Sequence, residues 1–500
     1  MSLNTLQEYT RIAKYAKYLP EENRRETWKE QVDRVFDMHK EYFEEFPEVM
    51  PHIEFAEQAV LKKDILGSQR ILQFGGTPIF KHHARVYNCG FGHINRPRAF
   101  QELMYLLLCG CGIGFSVQKH HVSQLPPATK RGEIIEKTYL VPDTIEGWAD
   151  AIGVLIASYM GGIPEFDEYI GEKVVFDYSN IRPAGAPLSS GSKAPGPDGL
   201  RRSIDKIEKI FERSLSAART VELRPIDVYD IIMHAADAVI SGGVRRSATI
   251  ALFSPEDEEM ATAKTGNWFI ENPQRGRSNN SALLVRDETS KDTFNKLMSC
   301  VKEYGEPGFV WAESTEMGFN PCVEIGLYPV DVETGKSGWQ FCNLAEINGK
   351  RANTEEKFYQ ACKAASILGT LQAAYTTFPY VGETTERITR REALLGVSIT
   401  GMMDNPDVLF DPQIQRNGAK IVKDVNKEIA EIIGINPAAR TTCVKPAGST
   451  SCILGTASGI HPHHAKRYFR RVQANIQENP VQHFKKINPR AVETSVWDPN

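Results

Sequence analysis

The stretch "RAFQELMYLLLCGCGIGFSVQ", Arg98–Gln118, contains the change of pattern that decides the fold. Its first part, Arg98–Cys109, has the apolar spacing of a helix, whereas Gly110–Gln118 has the pattern of a turn followed by a strand. The apolar run from Leu103 to Val117 is shorter than the roughly 20 residues that a bilayer span needs. We therefore interpret it as a buried helix that runs into a turn and a buried strand.

The same alternation continues on the C-terminal side of this stretch. Ile145–Gly162 is typical of a helix and Lys173–Pro183 of a strand, and Asp227–Gly243 and Ser247–Ser254 repeat this order. Residues 7–65, on the N-terminal side, have helical spacing throughout. Alternating helices and strands predict an α/β fold with a wound or barrel sheet.

Composition excludes several classes of function. The chain has 500 residues, 41% of them apolar and 24% charged, and a net charge of −4, which gives no electrostatic reason to expect nucleic-acid or membrane binding. The N-terminus lacks the apolar segment of a signal peptide, so we expect a cytoplasmic protein, in a host cytoplasm if the gene is viral. Nine cysteines, an odd number without a CxxC pair, argue against a disulfide framework or a zinc ribbon.

The segment "NPCVEIGLYP", Asn320–Pro329, carries a thiol between a carboxamide and a carboxylate. In an extended backbone, Asn320, Cys322 and Glu324 would point to the same face. A lone cysteine is most often a small core residue, and Asn320 could serve only as the buried partner of Glu324. Alternatively, Asn320 and Glu324 could bind substrate hydroxyl groups beside the thiol.

Other chemically capable residues are individually ambiguous. Cys89 and Cys342 could each be inert core thiols. The small-residue turn in "KPAGSTS", Lys445–Ser451, could hold a phosphate at a helix N-terminus or could be an ordinary helix cap. Arg245 and Arg246 are most simply a surface pair, and His461–Arg471 a solvated face of mixed charge, so no metal site is predicted.

Taken together, the motifs resemble the catalytic chain of ribonucleotide reductases. The family's Asn-x-Cys-x-Glu pattern is similar to "NPCVEIGL", and "FCNLAEIN", "GVSITGMMD" and "KPAGSTS" follow in the family's order. The similarity is strongest to the monomeric adenosylcobalamin-dependent class, in "YAKYLPEENRRETWKEQVDRV", "GCGIGFSVQKHHVSQLP", "VPDTIEGWADA", "DYSNIRPAGA" and "GGVRRSATIAL". It extends from about residue 10 to about residue 475.

The resemblance implies a role for each matching residue. Cys322 matches the cysteine that becomes a thiyl radical and takes the 3′ hydrogen of the ribose. Glu324 matches the general base on the 3′-hydroxyl, and Asn320 the residue that hydrogen-bonds a substrate hydroxyl. Cys89 and Cys342 match the pair that delivers two electrons and ends as a disulfide.

The resemblance also implies binding sites and partners. The substrate phosphates would lie at Ala447, Gly448, Ser449, Thr450 and Ser451. Two loops would bind a deoxynucleotide or ATP effector and set specificity, and their residues are Asp177, Ser179, Arg182, Arg277, Asn279 and Asn280. A thioredoxin-type protein would re-reduce the disulfide, and the chain would be a monomer or a homodimer.

The implied fold is a ten-stranded α/β barrel with the radical cysteine on a central finger loop. We expect residues 1–80 to form an N-terminal helical region without an activity-regulating ATP-cone, and residues 81–500 to form the barrel. A final strand and a C-terminal cysteine pair would follow residue 500 in the family, so we expect the C-terminal end to be incomplete.

Three hypotheses remain open from the sequence. The first is a ribonucleotide reductase, acting on di- or triphosphates, that takes its radical from adenosylcobalamin. The second is the same reaction with the radical supplied by a separate metal-containing small subunit. The third is an inactive nucleotide-binding regulator, which the presence of all five catalytic-type residues disfavours.

Overall fold

The computed structural model describes residues 3–132, 136–186, 194–241, 248–469, 471–472, 474, 476 and 479–494. The chain divides into two compact units, Met1–His461 and Pro462–Asn500. Arg245 and Arg246 lie outside the described residues, as do parts of the loop that follows Pro183. The predicted division near residue 80 stays a prediction.

Short helices and strands alternate through most of the first unit. The strands of the described residues are β1 (Tyr18–Leu19), β2 (Arg24–Arg25), β3 (Ile65–Leu66), β4 (Cys89–His93), β5 (Gly112–Ser116), β6 (Ala128–Thr129), β7 (Glu136–Leu140), β8 (Lys173–Asp177), β9 (Thr220–Val221), β10 (Thr249–Phe253), β11 (Ser278–Val285), β12 (Gly308–Ala312), β13 (Gly318–Phe319), β14 (Gly326–Leu327), β15 (Trp339–Cys342), β16 (Leu344–Asn348) and β17 (Gly396–Thr400). The α-helices are α1 (Leu3–Lys14), α2 (Trp28–Tyr42), α3 (Met50–Leu61), α4 (Gln69–Phe74), α5 (Thr77–Lys81), α6 (Arg98–Cys109), α7 (Lys119–Val122), α8 (Ile145–Met160), α9 (Asp198–Ser214), α10 (Pro225–Ser241), α11 (Glu258–Ala261), α12 (Trp268–Glu271), α13 (Lys291–Tyr304), α14 (Glu355–Ala373), α15 (Gly382–Glu392), α16 (Pro406–Leu409), α17 (Pro412–Ile433), α18 (Ser449–Leu454) and α19 (Asn479–Ile487).

The largest sheet has six strands in the order β12-β11-β10-β5-β4-β15. Its first five strands are parallel to one another, and β15 runs antiparallel to β4. Parallel strands need crossover connections, which helices such as α6 and α10 provide. Both β5 and β10 are buried at every position, as expected when helices cover a parallel sheet.

A second sheet, in the order β17-β16-β3, continues from the first. Only Asn343 separates β15 from β16, and its carbonyl accepts a hydrogen bond from Gly396 N at the start of β17. Thr442 extends this sheet through a parallel bridge to Val397. The predicted α/β class is confirmed, and the described strands form sheets of six and three strands with four smaller pairs. The closed ten-stranded barrel stays a prediction.

The helix-to-strand transition at Arg98–Gln118 has the predicted form. Every residue of α6 from Ala99 to Cys109 is buried, and the helix ends at Gly110, whose φ of 94° is a left-handed conformation that suits glycine. Cys109 and Cys111 are buried core residues, 0% and 3% exposed, as the packing interpretation predicts. No helix among the described residues is both long and apolar enough to cross a membrane.

The N-terminal region is largely helical, with one exception. Helices α1, α2 and α3 confirm most of the prediction for residues 7–65. The antiparallel pair β1–β2 interrupts them, where Pro20 follows β1 and Asn23 has a φ of 51°. A proline and a left-handed residue break the helix there, and α2 begins at the capping box formed by Thr27 and Glu30.

The second unit, Pro462–Asn500, contains α19 and a 3₁₀ turn at Pro489–Ala491. Within it, Arg471 and Glu493 form an ion pair at 3.6 Å. The described residues from His461 to Arg471 are exposed, which agrees with the interpretation of this segment as a solvated face.

Candidate active site

The Cys322 segment forms a tight hairpin, not an extended strand. Strands β13 and β14 are antiparallel, with Phe319 opposite Gly326, and the six residues between them make the turn. Val323 has a φ of 66°, and its N–H donates to the carbonyl of Asn320 at 2.9 Å. The prediction of an extended backbone over Asn320–Glu324 is therefore wrong, because local hydrogen bonds at Asn320 close the chain into a turn.

The side chain of Asn320 also contacts a second predicted site residue, Glu324. Asn320 Oδ1 accepts the N–H of Ile325 at 3.1 Å, and Asn320 Nδ2 donates to Glu324 Oε2 at 2.8 Å. Asn320 is fully buried, so its amide has a fixed orientation, which in turn orients the Glu324 carboxylate. Cys322, two residues away from each, is exposed at the tip of the turn.

The hairpin packs against one face of the large sheet at positions that only glycine can occupy. A Cβ atom on Gly114 of β5 would overlap the carbonyl oxygen of Phe319, and one on Gly318 would overlap the ring of Phe91 in β4. A Cβ on Gly112 would lie 3.3 Å from Pro321 Cγ and 3.5 Å from Cys89 Sγ. These contacts seat the turn beside Cys89.

Cys89 and Cys342 are direct cross-strand partners. They lie opposite each other in the β4–β15 register, and their thiols hydrogen-bond each other. Cβ atoms of such pairs are about 4.5–5.5 Å apart, and a disulfide requires about 3.5–4.5 Å, so a small movement would join them. The structure thus brings the predicted pair together, with both cysteines as thiols.

Burial sets the protonation state of this pair. Cys342 is 1% exposed, and burial raises the pKa of its thiol well above the ordinary value, an effect that Cys89 and Glu324 reinforce. The protonated thiol is therefore the form of Cys342 at neutral pH. Glu324 lies close enough to raise the pKa of both this thiol and that of Cys443.

Three residues near the thiols were not singled out from the sequence. Burial raises the pKa of Cys443 to about 12, with a contribution from Glu324. Lys445 Nζ is 3.3 Å from Glu346 Oε2, and both side chains are largely buried. A buried lysine would normally lose its charge, but Glu346 and the nearby thiols keep the pKa of Lys445 raised. The available signals were the position of Cys443 and Lys445 beside the predicted phosphate loop and that of Glu346 in the motif "FCNLAEIN".

The segment Ala447–Ser451 includes the start of α18, and its two last hydroxyl groups are hydrogen-bonded. Ser451 Oγ donates toward the carbonyls of Ala447 and Gly448 at 2.7 and 2.8 Å, and Thr450 Oγ1 accepts from Gln69 Nε2 at 2.7 Å. Gly448 is exposed and Ser449 half-buried. Gly448 and Ser449 are therefore the members of the loop that a ligand can reach.

The two predicted effector segments lie on different elements. Asp177 ends β8, its carboxylate accepts the N–H of Ser179 at 2.9 Å, and that bond lowers the pKa of Asp177. Arg182 pairs with Asp143 at 2.5 Å. The described contacts join neither of these groups to the second segment.

The second segment lies at the start of β11. Arg277 pairs with Asp237 at 2.6 Å, Asn279 is exposed, and Asn280 is buried with its Oδ1 accepting from Ser278. The effector role of both segments stays a prediction.

The comparisons with known proteins agree with the motifs. No protein-family model matches the chain. Adenosylcobalamin-dependent ribonucleoside-triphosphate reductases of Lacticaseibacillus paracasei and Levilactobacillus brevis are each 25% identical to it, over 92% and 97% of this chain and 73% and 76% of theirs. A probable enzyme of the same name from Dictyostelium discoideum is 24% identical over 80% of this chain and 54% of its own length.

One solved structure has the same fold. A B12-dependent (class II) ribonucleotide reductase superposes with a TM-score of 0.76 at 21% identity, covering 92% of this chain and 77% of that one. The chain therefore has the fold of a class II ribonucleotide reductase. The resemblance to adenosylcobalamin-dependent ribonucleoside-triphosphate reductases, indicated by the motifs, is confirmed by these similarities.

Proposed function

We propose that this chain is an oxidoreductase that converts ribonucleotides to 2′-deoxyribonucleotides by thiyl-radical chemistry, with the radical obtained from adenosylcobalamin. The observation that carries the proposal is that two groups of predicted catalytic residues lie next to each other. The turn with Cys322, Asn320 and Glu324 packs beside Cys89, which is paired with Cys342. The similarity to curated reductases of that name supports the same conclusion.

The first step uses the turn. As a thiyl radical, Cys322 takes the hydrogen atom from C3′ of the ribose, which leaves a carbon radical on the substrate and a thiol on Cys322. Glu324 accepts the proton of the 3′-hydroxyl, a role that requires a carboxylate within hydrogen-bond reach of the sugar. Asn320 holds Glu324 at 2.8 Å and keeps it oriented toward the sugar.

The second step uses the strand pair. The 2′-hydroxyl leaves as water after gaining a proton, and Cys89 and Cys342 supply two electrons and two protons as they become a disulfide. Because Cys342 is buried and protonated, it can donate hydrogen without first taking up a proton. Cys322 then returns a hydrogen atom to C3′ and becomes a thiyl radical again, while Glu324 returns its proton to the 3′-oxygen.

The residues present fit adenosylcobalamin. The reaction needs a radical that side chains do not generate alone, and Cys322 is exposed at the tip of its turn, where a bulky cofactor can approach it. Adenosylcobalamin held beside this turn would supply the radical. Cys322 is the residue that receives the radical, and the exposed Val323 beside it offers an apolar contact.

The remaining roles belong to the same proposal. Ala447–Ser451 bind the substrate phosphates, mainly through the reachable Gly448 and Ser449. The segments around Asp177 and Arg277 bind a deoxynucleotide or ATP effector, and a thioredoxin-type protein re-reduces the disulfide. The enzyme acts in the cytoplasm as a monomer or homodimer.

The fold proposal is the ten-stranded barrel with the β13–β14 hairpin as its central finger loop. Five parallel strands support one half of it. The antiparallel step to β15, its continuation into β16 and β17, and the Thr442 bridge support a second half. Residues 1–80 form the helical region that precedes it.

The test is anaerobic turnover with the full chain. Adenosylcobalamin, a dithiol and a ribonucleoside di- or triphosphate are mixed with the protein and effectors, and deoxynucleotide is quantified. We expect product from the wild type and none from Cys322→Ser. Cys300→Ser, in a half-buried thiol of α13 outside the site, is the matched control and should stay active.

Two results would change the proposal. If product formed only after addition of a metal-loaded small subunit, the proposed reaction would stand, but adenosylcobalamin would no longer be the proposed source of the radical. No product in either mixture, together with nucleotide binding, would favour an inactive regulator.

A further inference from the structure

A cluster of imidazoles around one carboxylate lies at the carboxyl ends of two neighbouring parallel strands. His93 is the last residue of β4, and His121 lies in α7, which follows β5. Glu316 comes from a distant part of the chain, just before β13 of the Cys322 hairpin. None of these residues takes part in the proposed reaction.

The three side chains are close and mostly buried. The side chains of His93 and His121 are each 1% exposed, and their rings stack with centroids 3.7 Å apart. Glu316 Oε2 lies 3.2 Å from His121 Nε2 and 3.8 Å from His93 Nδ1. One nitrogen or oxygen atom from each residue lies within 4.8 Å of the other two.

Hydrogen bonding fixes the tautomer of His93. Its Nε2 lies 3.0 Å from the carbonyl oxygen of Glu316 and must donate to it, because a carbonyl cannot donate. In the neutral ring, which is the form that binds a metal ion, Nδ1 is therefore the nitrogen that carries the lone pair. That lone pair and the Glu316 carboxylate, both acceptors, therefore face each other across 3.8 Å.

Supporting contacts hold the other two groups. Ser116 Oγ, fixed by Gln118 Nε2 at 3.0 Å, lies 2.8 Å from His121 Nδ1. His120 Nε2 lies 2.9 Å from Glu316 Oε1, the second oxygen of that carboxylate. A backbone carbonyl or hydroxyl on the second nitrogen of a histidine is the usual support of a metal ligand.

A purely hydrogen-bonded cluster explains only part of this geometry. His121 Nε2–H can donate to Glu316, which accounts for the 3.2 Å contact. It leaves His93 Nδ1 and Glu316 Oε2 3.8 Å apart, which is too far for a hydrogen bond between them. A metal ion bound by both atoms would account for that separation.

We propose that His93 Nδ1, His121 Nε2 and Glu316 Oε2 bind a divalent transition-metal ion, with zinc as the best fit. Zinc–ligand bonds of about 2.0–2.2 Å in a tetrahedron put neighbouring ligand atoms about 3.3–3.5 Å apart. The observed separations of 3.2 and 3.8 Å lie on either side of that range. Two imidazoles favour zinc, iron or cobalt over magnesium or calcium, and three protein ligands leave one position open.

The ion has a structural consequence for the hairpin. Glu316 is two residues before Gly318, where β13 begins. A metal held by β4, α7 and Glu316 ties the base of the hairpin to the large sheet. It fixes the position from which the Cys322 turn reaches its neighbours, without contacting the reacting atoms.

The test is zinc binding by the full chain without added cobalamin. Zinc is titrated in competition with a chromophoric chelator, and metal content is measured after gel filtration. We expect one zinc ion per chain. Affinity should fall at least about 100-fold in His93→Ala, His121→Ala and the isosteric Glu316→Gln, since even supporting residues contribute about 10–100-fold. His52→Ala, a half-buried histidine on α3, is the matched control and should bind as the wild type does.

Two further measurements distinguish loss of the zinc site from misfolding of a variant. Cobalt(II) in place of zinc should give intense d–d absorption bands of a four-coordinate site in the wild type and not in Glu316→Gln. Zinc should raise the Tm of the wild type and leave that of Glu316→Gln unchanged, because only a native-state site couples binding to unfolding. Wild-type protein that binds no stoichiometric zinc at micromolar concentration, or variants that bind it as tightly as the wild type, would overturn the proposal.

Discussion

The Cys322 turn and the Cys89–Cys342 strand pair place the same functional group in opposite environments. Cys322 is exposed on a six-residue turn whose shape depends on the side chain of Asn320. Cys342 is 1% exposed in a sheet whose register fixes its partner. A thiol that must receive a radical needs access, whereas a thiol that must stay protonated until it donates benefits from burial.

The comparison also shows how the two environments are joined. The turn is held against the sheet by glycines, because any side chain at Gly114 or Gly318 would occupy the space of the other element. The distance between the exposed thiol and the buried pair is therefore set by backbone contacts. Substitutions at these contacts would change the position of the turn gradually, whereas a substitution at a thiol removes it altogether.

The largest effect should come from Cys322. Replacing it with serine removes the only thiol on the turn, and we expect deoxynucleotide formation to fall at least about 1,000-fold, since residues that act as a unit lose nearly all catalysis together. Exchange of the 3′ hydrogen of the substrate with solvent should be lost as well. Activity within tenfold of the wild type would show that the turn is not the radical site.

Cys342→Ser should block the step that uses the strand pair and leave the step that uses the turn. It removes an electron donor but leaves the turn intact, so deoxynucleotide formation should fall about 100-fold or more while exchange at C3′ continues. Following tritium released from 3′-labelled substrate distinguishes the two steps. Loss of both would mean that the strand pair also shapes the turn.

Gly114→Ala should weaken the connection between the two regions. Its Cβ would overlap the carbonyl of Phe319, and overpacking of this kind costs about 1–3 kcal/mol in unfolding free energy. Activity should fall about tenfold as the turn shifts. Gly132→Ala, whose Cβ would lie 3.6 Å from its nearest neighbour, is the matched control and should change neither quantity.

The last effect concerns stability alone and involves the aromatic residues packed behind the strand pair. Burial lowers the pKa of His39 to about 3. Its Nδ1 contacts Tyr375 Oη at 3.1 Å, and its Nε2 has no hydrogen-bond partner among the described residues. Tyr375 accepts a bond from Tyr87, which stacks on Phe341 beside Cys342.

This arrangement predicts a loss of stability in acid. Below a pH of about 6.5 the unfolded chain binds a proton at His39 that the folded chain does not, so the unfolding free energy falls as pH decreases from there toward 3. Between pH 7 and pH 5 the loss from His39 should be about 2 kcal/mol. Urea titrations at both values should show a smaller change in His39→Gln, and an unchanged difference would mean that His39 is protonated in the fold.

Predictions from the sequence were correct where the structure depends on residues that are close together in the chain. Helix α6 and the turn at Gly110 followed from spacing and one glycine, and the structure has them where the pattern put them. The extended form of Asn320–Glu324 was wrong because an asparagine side chain closes a turn there, which alternation cannot reveal. The pairing of Cys89 with Cys342 was predicted only through the resemblance, because the sequence of neither strand indicates its register with a distant partner.

The histidine cluster was missed for the same reason. The sequence drew attention to the histidine-rich segment from His461, whose described residues are exposed. The ends of β4 and β5, "GH" and "QKHH", carried a weaker signal that becomes visible only when the strands are known to be parallel neighbours. Glu316 joins them from about 200 positions further along the chain.

By itself, the sequence determined the α/β class and the main helices and strands, and its ordered motifs predicted which residues are reactive. These depend on short-range periodicity and on residue types. Only the tertiary structure decided which thiols meet, how Asn320 orients Glu324, and where His93, His121 and Glu316 converge. Such contacts depend on strand register and on the close approach of backbones at Gly114 and Gly318, which arise from packing between segments far apart in the chain.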